Sequence, residues 1–149
     1  MKKLVFVALA ISSQSIAQQF GTCTVKYHSI YDGDTFYGEI NCNRGMNKTL
    51  YAEKLPIRVG GIDTPEMKAR RRNFYPCEKQ LAIQGRNFVM QLLEKAQQIE
   101  IRNAKTGKYF RVLGDVYIDG TSLSEALIYN KLAVSYDGGH KNKVNWCNL

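Results

Sequence analysis

The chain has 149 residues, a formal net charge of +8 and 44% hydrophobic residues. That is enough for one hydrophobic core and too little for two comfortable ones. The positive sign speeds encounter with polyanions, nucleic acid first among them, although solubility alone makes many exported proteins basic.

The first segment reads as a leader. Met1-Lys2-Lys3 is a positive start, Leu4 to Ile11 is apolar, and Ser15-Ile16-Ala17 is a small-x-small cleavage site, the pattern of a secretory signal peptide. The apolar run is too short to span a bilayer. A buried N-terminal helix is the competing reading, disfavoured because no amphipathic pattern continues it. Residues 1–17 are therefore expected to be removed, leaving a single domain over 18–149, secreted or periplasmic. Without Lys2 and Lys3 the charge is still about +6.

From Thr22 to Asn43 the chain is rich in β-branched and aromatic residues on both sides of Asp32-Gly33, which predicts a hairpin turning at that pair. Leu55 to Val59 predicts a third strand. Lys79 to Ala96 has no proline and carries Leu81, Gly85, Phe88 and Leu92 at helical spacing, with Leu93 widening the face. Gln98 to Arg102 and Tyr109 to Ile118 predict two more strands. Asp119-Gly120 turns the chain into a second helix, with Ser122 and Glu125 as its capping box. Three strands, a helix, two strands and a helix favour a small closed or partly closed sheet over a doubly wound fold. Gly138-Gly139 opens a polar tail that Trp146 and Cys147 can pin back.

Cys23, Cys42, Cys77 and Cys147 all follow the leader, which in an oxidising compartment predicts two disulfides among three possible connectivities. The hairpin selects one: with Asp32-Gly33 as turn residues, Cys23 falls opposite Cys42, leaving Cys77 for Cys147. That count puts the first pair in a hydrogen-bonded register with the wider Cα separation, and one bulge would change it. A zinc site is disfavoured because no Cys-x-x-Cys spacing occurs and His28 and His140 have no regular partner.

Acids and arginines supply the candidate chemistry. Asp32, Asp34, Asp63 and Glu66 are hard oxygen donors, and Arg58 and Arg111 interrupt otherwise apolar strand patterns. Hydrolysis of an anionic phosphodiester needs such a set: cations against the charge developing on phosphoryl oxygens and a carboxylate beside the attacking water. Each element also has a plainer reading. Asp32 can cap a turn, Gly33 can serve a backbone angle, and Asp63-Thr64-Pro65-Glu66 can start a helix. Lys68 and the triplet Arg70-Arg71-Arg72 can steer substrate or form a solvated helix face.

Taken together, Tyr31 to Thr35, Arg58 to Glu66 and Lys108-Tyr109-Phe110-Arg111 resemble the three active-site blocks of the thermonuclease, or staphylococcal nuclease-like, family in order and spacing. Ala126-Leu127 and Leu132-Ala133 extend the similarity. The resemblance implies a mainly β fold with α: an OB-fold five-stranded β-barrel with peripheral helices. It implies a calcium-dependent, sugar-nonspecific nuclease that hydrolyses phosphodiester bonds in DNA and RNA and leaves 3′-phosphate ends. On this resemblance Asp34 and Asp63 bind Ca2+ through their carboxylates and Thr64 through its backbone carbonyl, with Asp32 just outside the ligand set. Glu66 acts on the attacking water, and Arg58 and Arg111 hold the scissile phosphate. Lys108, Tyr109 and Tyr136 contact the nucleotide.

The chain departs from the family pattern in its four cysteines, in a short stretch after His140 where the family has a long helix, and in Phe110, where a glycine is expected. Two other readings stay open: a non-catalytic OB-fold module that binds nucleic acid, and a disulfide-stabilised secreted interaction domain. A monomer is the default.

Overall fold

The computed structural model describes residues 19–43, 49–68, 76–141 and 143–149; residues 1–17, expected to form a leader, and the triplet Arg70, Arg71 and Arg72 lie outside them. In chain order the elements are β1 (Gln19–Asp32), β2 (Thr35–Asn43), β3 (Thr49–Val59), β4 (Ile62–Asp63), α1 (Pro76–Lys95), β5 (Ile99–Thr106), β6 (Val112–Ile118), β7 (Thr121–Ser122), α2 (Leu123–Tyr129) and β8 (Val134–Ser135). Short 3₁₀ turns occupy Lys108–Phe110 and Trp146–Asn148.

The sheet runs β3-β2-β1-β5-β6 with antiparallel neighbours, and a parallel pairing of β3 with β6 joins its two ends, Ile57 opposite Val112 and Arg58 opposite Leu113. This is a closed five-stranded, OB-fold-like barrel with peripheral helices. Closure leaves the long strands without open edges and turns alternate residues inward. Cys23, Phe36, Ile40, Ile57, Val59, Ile101 and Val116 fill the interior. Two glycines permit the tight coiling. A Cβ on Gly38 would lie 2.8 Å from the Lys26 carbonyl oxygen, and one on Gly114 would lie 2.8 Å from that of Arg102.

The hairpin turns one residue later than expected. Gly33 and Asp34 form the turn and Asp32 pairs with Thr35; two register shifts, between Ile30 and Asp32 and between Tyr27 and Ser29, then restore Cys23 opposite Cys42. The Cys23–Cys42 disulfide forms at a Cα separation of 4.0 Å. This is the close spacing of a non-hydrogen-bonded pair, not the wider one expected. The bulges keep the pairing while moving Asp34 into the turn, where it can face the end of β3.

Helix α1 begins three residues earlier than expected and presents a face rotated by about one position. Ala82, Gly85, Val89 and Leu93 are buried, while Leu81, Phe88 and Leu92 are only half-buried against the core. Both sets repeat at helical spacing, so periodicity alone could not choose between them. Ser122 caps α2, its hydroxyl accepting the Glu125 amide at 3.3 Å. Strand β3 is longer than expected, and β6 starts at Val112 rather than Tyr109 because Lys108–Phe110 forms a turn.

The tail is pinned as expected. Trp146 is buried and Cys147 bonds to Cys77 at the first turn of α1, across 70 residues of sequence. In the loop-entropy account, a cross-link of that span restricts the unfolded chain by about 4 kcal/mol.

Candidate active site

Three segments meet at one end of the barrel: the β1–β2 turn, the run from the end of β3 through Glu66, and the β5–β6 hairpin loop. They line a cleft of about 1070 Å³ that also takes in Tyr136 and Lys141.

Arg58 sits at the centre. It pairs with Thr35 across β2 and β3, beside Asp34, and its side chain is only 13% exposed. Its guanidinium forms an ion pair with Asp34, lies 3.6 Å from Asp63 Oδ1 and donates from Nη2 to the Ile62 carbonyl at 3.3 Å. Burial pulls the Arg58 pKa down, and Asp32 and Asp63 push back against it. One buried fork thus holds two carboxylates from distant segments of the chain.

Asp34 is buried and accepts the Thr35 and Thr64 hydroxyls, each at 3.0 Å. Its carbonyl accepts the Val59 amide at 2.9 Å, and its own amide donates to Asp32 Oδ1 at 3.2 Å. Gly33 does not adopt a positive φ; its role is close approach, since a Cβ there would sit 3.2 Å from Thr64 Cγ2. Asp32 is therefore both the turn's cap and a second acid at the cleft.

Burial raises the Asp32 pKa, with Arg58 the largest opposing influence. A carboxylate with a folded pKa above its unfolded one binds its proton more tightly when folded, so stability falls as pH climbs through that interval and stays lower above it. Asp32→Asn retains an oxygen for the Asp34 amide. It is expected to be more stable than the parent in calcium-free buffer near pH 7, with the difference vanishing near pH 3. Urea melts at both pH values check this; an equal difference at both would contradict it.

Asp63 is buried in β4, whose pairing with β8 sets Asp63 opposite Val134. Lys141 reaches back to it, Nζ 2.6 Å from Oδ1, and lies 3.6 Å from Glu66 Oε1. Residues 64–66 are not helical, so Asp63 to Glu66 does not itself form a helix start. The Glu66 amide donates instead to the buried Glu78 carboxylate at 3.3 Å. Glu78 neighbours Cys77, so the tail disulfide and the orientation of Glu66 share one helix terminus.

The loop between β5 and β6 carries the rest. Arg111 Nε donates to the Lys108 carbonyl at 3.2 Å, and its guanidinium lies 5.6 Å from the centre of the Tyr109 ring. Lys108 and Tyr109 are exposed on the cleft rim. Tyr136 is tied to the barrel by its amide, which donates to the Gly61 carbonyl at 2.9 Å, while its hydroxyl donates to the Gly139 carbonyl at 2.8 Å. Lys68 lines the cleft, and His28 and His140 are exposed.

All ten expected chemical-site residues thus line one cleft. Sequence reasoning missed Lys141 and Glu78. Neither carries a local signal: Lys141 lies 78 positions from Asp63, and Glu78 reads as an ordinary acid in a helix's first turn.

Among the described residues, no three His, Cys, Asp or Glu side chains form a metal-holding cluster. Asp34 and Asp63 are both paired with cationic side chains. The donors within this arrangement are nevertheless carboxylate, hydroxyl and carbonyl oxygens, the set a hard cation such as calcium takes and zinc does not favour. Two acids from separate segments would fit such an ion only if it displaced Arg58 from Asp34 as well as Lys141 from Asp63.

No curated protein matches the chain at a significant level. A family model, that of staphylococcal nuclease homologues, matches residues 56–145. The matched interval holds Arg58, Asp63, Thr64, Glu66, Lys108, Tyr109, Arg111 and Tyr136; Asp32 and Asp34 precede it and join the site through the fold. With most of its length matched and a closed barrel gathering these blocks at one cleft, the chain belongs to the staphylococcal nuclease homologue family.

Proposed function

We propose that this protein is a calcium-dependent, sugar-nonspecific nuclease that hydrolyses phosphodiester bonds in DNA and RNA to leave 3′-phosphate ends. The observation that carries the reading is the convergence of Asp34 and Asp63 on the buried guanidinium of Arg58, in a cleft rimmed by Arg111 and Tyr109.

Asp34, Asp63 and the Thr64 carbonyl would hold the ion, with Asp32 adding negative charge just outside them. Bound calcium would supply positive charge to the phosphoryl oxygens and ease deprotonation of a nearby water. Arg58 and Arg111 neutralise the phosphate as charge builds on it, a task that suits a planar fork of donors. Glu66 orients the attacking water and accepts its proton. Lys108, Tyr109 and Tyr136 hold the nucleotide through phosphate contact and stacking. Contacts of this kind follow the backbone rather than the base sequence, which supports action on both polymers. Two disulfides, and the leader expected from the sequence of residues 1–17, support a secreted or periplasmic site of action.

A non-catalytic binding module is the second reading, favoured by the 2.6 Å contact between Lys141 and Asp63. A lysine that stayed there in solution would keep the ion out. Digestion of single-stranded DNA and of RNA, with analysis of the product ends, separates the two. The nuclease reading expects 3′-phosphates from both polymers; 3′-hydroxyl ends or binding without turnover would overturn it.

A further inference from the structure

The cleft extends past the carboxylates onto the outer face of β1, β2 and β3. Tyr31, Tyr37 and Pro56 line it there, with Arg58 at the near end. Phe36 is buried inside the barrel, so by strand alternation Tyr37 points outward, and it pairs across the strands with Pro56. Tyr31 falls at the register shift between the Ile30–Phe36 and Asp32–Thr35 pairs. A bulge beside a site re-aims a side chain, and at this one Tyr31 is 52% exposed on the cleft wall. Packing accounts for Tyr37 and Pro56, which are half-buried. It does not account for Tyr31, which leaves half its surface in water.

The charge on this wall fits an anionic strand. The Lys54 ammonium stands 5.5 Å from the centre of the Tyr37 ring, and the residue is exposed. At a strand rise of about 3.4 Å per residue, Pro56 and Lys54 lie roughly 7 and 14 Å from Arg58 along β3. Stacked nucleotides advance about 3.4 Å each, so those distances amount to about two to four steps along a nucleic acid strand. Further out, Glu39 and Glu53 lie between the Gly38–Leu55 and Ile40–Ala52 pairs. Their carboxylates repel phosphate and give the track an end. An aromatic face beside a cation holds a base by stacking and its phosphate by charge.

We propose that Tyr31, Tyr37 and Lys54 form a second nucleotide subsite, which takes a nucleotide about two to four steps from the scissile phosphate. The inference rests on the nuclease reading for where that phosphate lies. It makes oligonucleotides, rather than dinucleotides, the ligands this protein binds best.

The test is fluorescence anisotropy with a labelled thymidine dinucleotide and a labelled thymidine octanucleotide, in chelator so that nothing is cleaved. The parent is expected to bind the octanucleotide more tightly. Tyr31→Ala weakens octanucleotide binding by about 5- to 150-fold, the range one base–aromatic stack is worth, and dinucleotide binding by less than about twofold. Tyr31→Phe keeps the stack and the parental affinity. Lys54→Ala flattens the plot of log K against log salt for the octanucleotide by about 0.7, the share of one phosphate contact on a single strand. Calcium-dependent cleavage of the octanucleotide by the parent reports separately on the nuclease reading.

Equal affinity of the parent for both lengths overturns the proposal. So does octanucleotide binding that is unchanged in Tyr31→Ala, or a loss that is equal at both lengths. A Tyr31→Ala protein that melts well below the parent makes the ring structural and overturns it too. If the parent cleaves the octanucleotide while Tyr31→Ala binds it as the parent does, only this inference falls. If the parent binds neither oligonucleotide, the nuclease reading falls with it.

Discussion

Glu66→Gln is expected to lower kcat on single-stranded DNA by about 10²- to 10⁴-fold, the contribution of a well-placed general base. The amide keeps the shape of the carboxylate and cannot accept the proton. Glu66's side chain is 38% exposed, and its backbone hydrogen bond to Glu78 does not involve the group replaced. Stability should therefore stay within about 0.5 kcal/mol of the parent. Calcium affinity, read by calorimetry, should change little, because on the proposed reading Asp34, Asp63 and Thr64 would carry the ion. A Glu66→Gln enzyme with parental kcat would remove Glu66 from the chemistry; one that lost calcium binding instead would make it a ligand.

Arg58→Ala is expected to fail in two ways at once. Removing a preorganised positive donor from the phosphate costs about 10²- to 10³-fold in kcat. The same change leaves Asp34 and Asp63, both buried, without their shared cation. Breaking a buried ionic group on one side typically costs about 3–5 kcal/mol. Two carboxylates released from Arg58 repel each other, so calcium should raise the melting temperature of the variant more than that of the parent. Arg58→Lys keeps one charge and loses the fork, and should recover more stability than rate. Paired melts with and without calcium, beside kcat for each protein, check this. An Arg58→Ala protein as stable as the parent would show that the acids do not depend on the guanidinium.

Much of the fold was legible because its signals are local. Asp32-Gly33 between β-branched runs marked the hairpin, Ser122 with Glu125 marked α2, and the strand–helix order pointed to a small closed sheet. The disulfide pairing was legible for a subtler reason: the late turn and the two bulges offset one another at Cys23 and Cys42. The face of α1 was legible only in part: Gly85 and Leu93 are buried as expected, but two sets of apolar residues repeat at the same period and only the barrel selects Ala82 and Val89 over Leu81, Phe88 and Leu92. The turn at Lys108–Phe110 was hidden because Tyr and Phe read as strand formers, while the observed positive φ values are ordinarily a glycine's signature.

The site divides along the same line. Asp34, Arg58, Asp63 and Glu66 were visible because each belongs to a compact run of chemically pointed residues. Lys141 and Glu78 were not, because their roles come from tertiary contact: a tail lysine folding back over Asp63, and a helix acid turned toward the Glu66 amide. The contrast matters for function. On the proposed reading the visible residues would supply the hydrolytic chemistry, whereas the hidden ones would set its starting state, with Lys141 paired to Asp63 where that reading puts a cation.

The central claim is most directly tested by the rate of single-stranded DNA hydrolysis by the mature, oxidised protein, with calcium and again with excess chelator. The account predicts cleavage that appears with calcium, disappears with chelator and returns when calcium is restored. Undiminished cleavage in chelator, or tight DNA binding with no turnover in calcium, would contradict it.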